Sequence, residues 1–276
     1  MNRFSDLIKL LESNKFKFSC YQDIPDIVKE KIRYVEDTFY KQNQVSLDKP
    51  RYEFLINNLD LKNQRVIEIG SNMGFFLLNL AKDMGCRVKG FEPIETYTKA
   101  TQLMSQIMEI QHLFEIFNQG ISISDIDELP EADLIIELNV LHHAGNHYDS
   151  EFVRSSADWE EYATNRLSKL SKKSKYLFFQ TGNVWNDESL FSTENSVDYI
   201  RKIITNAGWK TRAFATIRNL QQLNYVVGDP HDSSSFSTYK CERNIKTGLV
   251  DYYEHDSRAG ELITGLANRP IWICEQ

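Results

Sequence analysis

Two apolar rhythms alternate along the middle of the chain. Short β-branched and aromatic runs lie at Arg65–Ile69, Arg87–Phe91, Phe114–Phe117, Leu134–Leu138, Tyr176–Gln180 and Arg212–Ile217. Between them, Phe75–Met84, Tyr97–Glu109, Trp159–Leu170 and Ser196–Ala207 repeat at helical spacing. Strands separated by helices of this kind predict βαβ units and a mainly parallel sheet. Ahead of them, residues 1–60 read as helical. Phe4, Leu7, Ile8 and Leu11 share one face, Ile27–Tyr40 forms a second segment, and Pro50 starts a third at Arg51–Leu59. Behind them, His231–Ser237 is polar and Ser-rich, and no period emerges until Arg269–Cys274, which reads as a final strand. Residues 216–269 are therefore expected to form an insertion before that strand. A competing division makes Leu223–Val227 the last strand and the remainder a tail.

Chemistry concentrates at the end of the first expected strand. The segment Glu68-Ile69-Gly70-Ser71-Asn72-Met73-Gly74 passes from strand to loop and then into the Phe75–Met84 helix. Glycines in such a loop tolerate positive φ and close approach of a ligand, and a helix start offers free N–H groups. A phosphate-binding P-loop requires a Lys that is absent here, and the dinucleotide fingerprint requires a different glycine spacing. A carboxylate where strand meets loop repels phosphate and attracts an ammonium or sulfonium. S-adenosylmethionine (SAM) is a nucleoside with those cationic groups and no phosphate.

Composition enters mainly by exclusion. The 276 residues carry a net charge of −7, which lacks the electrostatic footprint of a nucleic-acid binder. No apolar run approaches the ~18 residues needed to span a bilayer. Residues Met1–Glu12 lack the apolar core and cleavage site of a secretion signal. Cys20, Cys86, Cys241 and Cys274 are scattered without metal-site or redox spacing, so reduced thiols, no metal and a cytoplasmic location are expected.

The loop segment resembles motif I of the class I SAM-dependent methyltransferases. Two further segments continue the resemblance. Arg87–Pro93 is similar to the second strand of that family, and Ala132–His143 to the fourth strand and its following loop. The resemblance spans roughly residues 60–215. It implies a Rossmann-like, seven-stranded mixed sheet over residues 61–276, with the 1–60 leader serving as a lid across the carboxyl edge. It implies SAM as the cofactor. Glu68, Gly70, Ser71, Asn72 and Gly74 would form the loop, Glu92 and Pro93 the ribose end, and Ile121 and Asn139 further contacts. The family's Gly-Asp after the third strand is replaced by Gly120-Ile121-Ser122, so adenine is left to backbone groups, Ser122 or Ile121. The helical leader and the His142-His143 step look similar to the small-molecule and wobble-uridine-modifying branches.

Each site residue also has a plainer reading. Ser71 and Asn72 can simply cap a helix, and Met73, Phe75 and Phe76 can be core. His142 and His143 are candidate bases for a hydroxyl acceptor, since neutral imidazole takes up a proton near pH 6.5; the alternative is a pocket wall. His147, oriented by Asp149, is a further candidate. The expected activity is methyl transfer to a small polar acceptor, such as a sugar or nucleotide-linked metabolite. Alternatives are a tRNA-modifying enzyme, with a basic surface gathered from Lys29, Lys31, Arg33 and Lys41, and a non-catalytic SAM-binding partner subunit.

Overall fold

Every apolar run expected as a strand is one. A computed structural model describes residues 3–12, 22–32, 47–182, 184–185, 188–190, 196–217, 225–228, 239–243, 250–254 and 269–276. In chain order the elements are α1 (Arg3–Glu12), α2 (Asp26–Lys31), α3 (Asp48–Asn58), β1 (Arg65–Ile69), α4 (Phe75–Met84), β2 (Arg87–Phe91), α5 (Glu95–Ile107), β3 (Phe114–Phe117) and β4 (Ala132–Leu138). There follow α6 (Ser156–Ser171), β5 (Ser174–Gln180), β6 (Val184–Trp185), β7 (Glu188–Ser189), α7 (Ser196–Asn206), β8 (Lys210–Ile217), β9 (Tyr225–Val227), β10 (Tyr239–Arg243), β11 (Val250–Glu254) and β12 (Ile271–Glu275). Short 3-10 turns lie at Asp125–Glu128 and Leu141–His143.

The α/β class holds, with one correction. The main sheet has eight strands, in the order β3-β2-β1-β4-β5-β12-β8-β9, rather than seven. The additional strand is β9, which pairs antiparallel with β8 through Ala215↔Val227, Thr216↔Val226 and Ile217↔Tyr225. It lies in the range expected as an insertion. The competing division places a strand there, and with Val226 and Val227 40% and 58% exposed it is a short edge strand. The final strand is β12, antiparallel to both β5 and β8, so Leu223–Val227 is not the last strand in the chain. The hairpins β6–β7 and β10–β11 pair separately.

The chain divides into two units, Met1–Ile121 with Ala132–Leu134, and Ser122–Glu131 with Ile135–Gln276. In the first, β1, β2 and β3 pair in parallel, Ile69 opposite Phe91 and Phe91 opposite Phe117. Val66 through Ile69 are all buried, as expected for a parallel strand covered on both faces. The helix α4 coincides with its expected bounds. Its apolar run lies between Gly74 and Gly85, both left-handed. Tyr52 of α3 meets the Phe75 ring edge-on at 6.2 Å and donates to Asp83. The helix α1 packs on α5, where Arg3 Nη1 lies 3.4 Å from the Gln106 carbonyl. Among the described leader residues, Gln22 reaches the start of α4, where its Oε1 accepts the Phe75 N–H at 3.3 Å. Most of the expected Ile27–Tyr40 helix lies outside the described residues.

In the second unit, β5 and β12 pair through Trp272↔Phe179 and Ile273↔Phe178. Phe214 stacks on Trp272 at 4.9 Å. The Ser155 hydroxyl accepts the Asp158 N–H, and the Asp158 carboxylate accepts the Ser155 N–H, a reciprocal cap that starts α6. From α6, fully buried Arg166 pairs with fully buried Glu137 at 3.0 Å.

Candidate functional site

The first unit gathers Glu68, Gly70, Ser71, Asn72, Gly74, Glu92, Pro93 and Ile121 around the ends of its strands. Register explains part of this: Ile69 pairs with Phe91, so the loop after β1 runs beside the residues after β2. Gly70 and Ser71 N–H both donate to the Phe91 carbonyl, at 2.8 and 3.2 Å, and Gly74 N–H donates to the Ser71 carbonyl at 2.7 Å. Met73 N–H is accepted by Asn72 Oδ1 at 2.9 Å. Asn72 N–H donates to Glu92 Oε2 at 2.8 Å, and Ile94 N–H to Glu92 Oε1 at 2.9 Å.

Glu92 is thus fixed from both sides. A carboxylate offers about four acceptor positions; two are taken by backbone amides, leaving one on each oxygen. Burial raises its pKa, and the Ile94 and Asn72 amides pull the other way. Asn118, which no sequence pattern marks, donates from Nδ2 to the Glu92 and Pro93 carbonyls at 3.0 and 2.9 Å. A Cβ at Gly120 would lie 3.7 Å from that of Pro93, so the loops after β2 and β3 converge, with Ile121 buried beside them.

Glu68 differs from its expected electrostatic role. It is 2% exposed, and its pKa is raised well above the usual carboxylate value by burial, then by Asp48 and Glu92, with the Leu77 amide opposing. A carboxyl group in that environment favours its neutral form. The carboxyl group that accepts from the loop amides is that of Glu92. Glu68 Oε2 and the buried Ser71 Oγ have no hydrogen-bond partner.

Asn72 and Gly74 take left-handed φ values of 47° and 70°. A Cβ on Gly74 would lie 2.4 Å from Thr101 Cγ2. Gly74→Ala is expected to cost about 1–3 kcal/mol through backbone strain and this clash. Adding Thr101→Ser should restore only the clash component. Urea unfolding followed by circular dichroism tests this, and a Gly74→Ala chain as stable as the parent would contradict it.

The second unit holds Asn139, His142 and His143. Asn139, at φ 58°, donates its N–H to the Gln180 carbonyl at 2.7 Å and Nδ2 to Gln180 Oε1 at 3.2 Å. Arg269 Nη1 donates to Asn139 Oδ1 at 2.6 Å across 130 residues of sequence. Three aromatic donors hold the carbonyls of the histidine turn: Tyr148 OH on Val140, Trp159 Nε1 on Leu141 and Trp185 Nε1 on Ala144. The His142 and His143 rings lie 4.0 Å apart, and His147 stacks on His143 at 4.7 Å. Asp149 does not orient His147. It accepts the Ile123 N–H at 2.7 Å and the Tyr162 hydroxyl. Ser122 Oγ is engaged by Asp125 and Ser124, both at 2.7 Å. Among the described residues no group of three His, Cys, Asp or Glu is placed to hold a metal ion, and no helix is long and apolar enough to cross a membrane.

Burial, then His147 and Arg269, lowers the His143 pKa to about 4. Its folded value lies below the unfolded value of about 6.5, so between these pH values the unfolded chain binds more protons. The stability that comes with the neutral ring is complete above about pH 6.5 and is lost as pH falls toward 4. An NMR titration should place the His143 midpoint near 4; one near 6.5 would contradict this environment.

No family model matches the chain, and no curated protein matches it. Among solved structures it is similar to WbdD, a bifunctional kinase-methyltransferase, at 15% identity over 99% of this chain and 46% of that one, with a TM-score of 0.47. It is similar to TrmN from Thermus thermophilus at 11% identity, over 82% of this chain and 48% of that one, with a TM-score of 0.44. The precorrin-6y C5,15-methyltransferase from Geobacter metallireducens matches at 8% identity, over 82% and 86% of the two chains, with a TM-score of 0.43. The chain thus spans about half the length of WbdD and of TrmN.

Proposed function

We propose that the chain is a SAM-dependent methyltransferase acting on a small polar acceptor. One observation carries this reading. The six consecutive amides from Gly70 to Phe75 are all bonded within the chain, one of them to the Glu92 carboxylate. A loop that cradles phosphate needs free N–H groups and no adjacent anion. This one has neither property, while Glu92 keeps acceptor positions suited to a diol.

The donor set fits a phosphate-free nucleoside. Glu92 would hold the ribose hydroxyls, and Pro93 and Ile121 would supply apolar surface for the base. The unpartnered Ser71 hydroxyl and Glu68 carboxyl are polar atoms that the cationic end of such a ligand would satisfy. When bound, SAM supplies a methyl group on a sulfonium, already activated toward a nucleophile. The remaining work of the chain is to align the acceptor and exclude water. His143, with a pKa of about 4, is neutral at pH 7 and can accept a proton from a hydroxyl, but weakly.

The basic surface of the tRNA alternative is partly spent. Lys29 pairs with Asp23 and Asp26, and Lys31 donates to the Ile107 carbonyl; Arg33 and Lys41 lie outside the described residues. The test supplies the full chain with SAM and either a small-metabolite extract or total tRNA, and measures S-adenosylhomocysteine release. Release that depends on the small-metabolite fraction is expected. Release with tRNA alone, or SAM binding without release in either arm, would overturn the reading.

A further inference from the structure

Hydrogen placement around His142 follows from its own bonds. The Gly182 N–H donates to His142 Nδ1 at 3.1 Å. A backbone amide only donates, so Nδ1 is the acceptor nitrogen, and a neutral ring then carries its hydrogen on Nε2. The ring is held neutral: burial, then Arg269, His143 and His147 push its pKa well below the usual value. Gly182 also fixes the ring plane, since a Cβ there would lie 2.5 Å from His142 Cδ2.

The neighbouring amide is oriented by the same logic. A guanidinium only donates, so the Asn139 atom facing Arg269 is its oxygen. Asn139 Nδ2 gives one hydrogen to Gln180 and retains a second. Where β4 and β5 end, His142 Nε2–H and Asn139 Nδ2–H are therefore both donors, with the Arg269 guanidinium bonded to the same Asn139. Such a set complements an oxygen-rich anion and matches poorly with a cation or a donor hydroxyl.

We propose that this cluster is an oxyanion subsite, in which His142 Nε2–H and Asn139 Nδ2–H, with Arg269 beside them, bind a carboxylate or phosphate carried by the acceptor. Calling the ligand the acceptor rests on the methyltransferase reading; the anion site itself stands without it. In this arrangement His142 is a donor and cannot serve as the base, a role left to its neighbours in the histidine turn.

The test uses the full chain labelled with 15N-histidine, titrated separately with inorganic phosphate and with acetate. At pH 7 His142 should show the Nε2–H tautomer, and at least one anion should shift its resonances saturably. A response to phosphate alone identifies a phosphate-bearing acceptor, and a response to acetate alone a carboxylate. Arg269→Gln should weaken that response about tenfold, since it removes the guanidinium that holds Asn139 Oδ1 and so orients its Nδ2–H. An Nδ1–H tautomer, or no shift with either anion, would overturn the subsite. Calorimetry with SAM separates the two failures. SAM binding without an anion response refutes the subsite alone, and an anion response without SAM binding refutes the methyltransferase reading alone.

Discussion

Glu137→Leu is expected to destabilise the second unit by about 3–5 kcal/mol, the cost of leaving a buried charge without its partner. Arg166 and Glu137 are both fully buried, 3.0 Å apart. Burial alone would lower the guanidinium pKa; Glu137, then Tyr148 and Tyr162, outweigh it and push it up. Arg166 therefore remains charged, with its guanidinium 5.4 Å from the Tyr148 ring. All four tryptophans of the chain, Trp159, Trp185, Trp209 and Trp272, belong to this unit, so their fluorescence during urea unfolding reports it directly. The double variant Glu137→Leu/Arg166→Met should recover most of the loss, because it removes the stranded charge as well. A single-variant loss below about 1 kcal/mol would mean that the pair matters no more than a surface one.

Glu92→Ala is expected to weaken SAM binding by about 1–3 kcal/mol, roughly five- to 150-fold in Kd, because it removes a charged hydrogen-bond partner. Two effects contribute. The ribose hydroxyls lose their acceptor, and the Asn72 and Ile94 amides lose theirs, which loosens the loop itself. Unfolding measured without ligand isolates the second effect, and calorimetry with SAM reports the sum. A folded Glu92→Ala chain with undiminished SAM affinity would remove Glu92 from the site.

Local patterns were legible where local physics decides. The apolar run of α4 stops at its flanking glycines, and the sequence predicts its ends to the residue. The final strand is visible in Ile271–Cys274, because a fully buried strand needs a continuous apolar run. Its insertion between β5 and β8 is not visible, since pairing partners leave no mark on a single segment. The strand β9 is marked only in the division that makes Leu223–Val227 the last strand, because three residues at an exposed edge do not show where in the sheet they pair. The site divides in the same way. The strand–loop–helix grammar located Glu68, Asn72 and Glu92, but which acid accepts the loop amides is decided by the fold, where Glu92 does. Arg269 reaches Asn139 from 130 residues away, and Asn118 clamps the Glu92 and Pro93 carbonyls from the loop after β3. Neither contact has a local periodicity to betray it.

The loop after β1 is expected to receive a phosphate-free nucleoside. Thermal unfolding of the full chain with S-adenosylhomocysteine or with NAD, each at about 100 times a micromolar Kd, tests it most directly, since ligand selective for the folded state stabilises by about 2.7 kcal/mol at that ratio. Stabilisation by S-adenosylhomocysteine and none by NAD is the predicted result. Stabilisation by NAD alone would mean that the loop accepts a pyrophosphate after all.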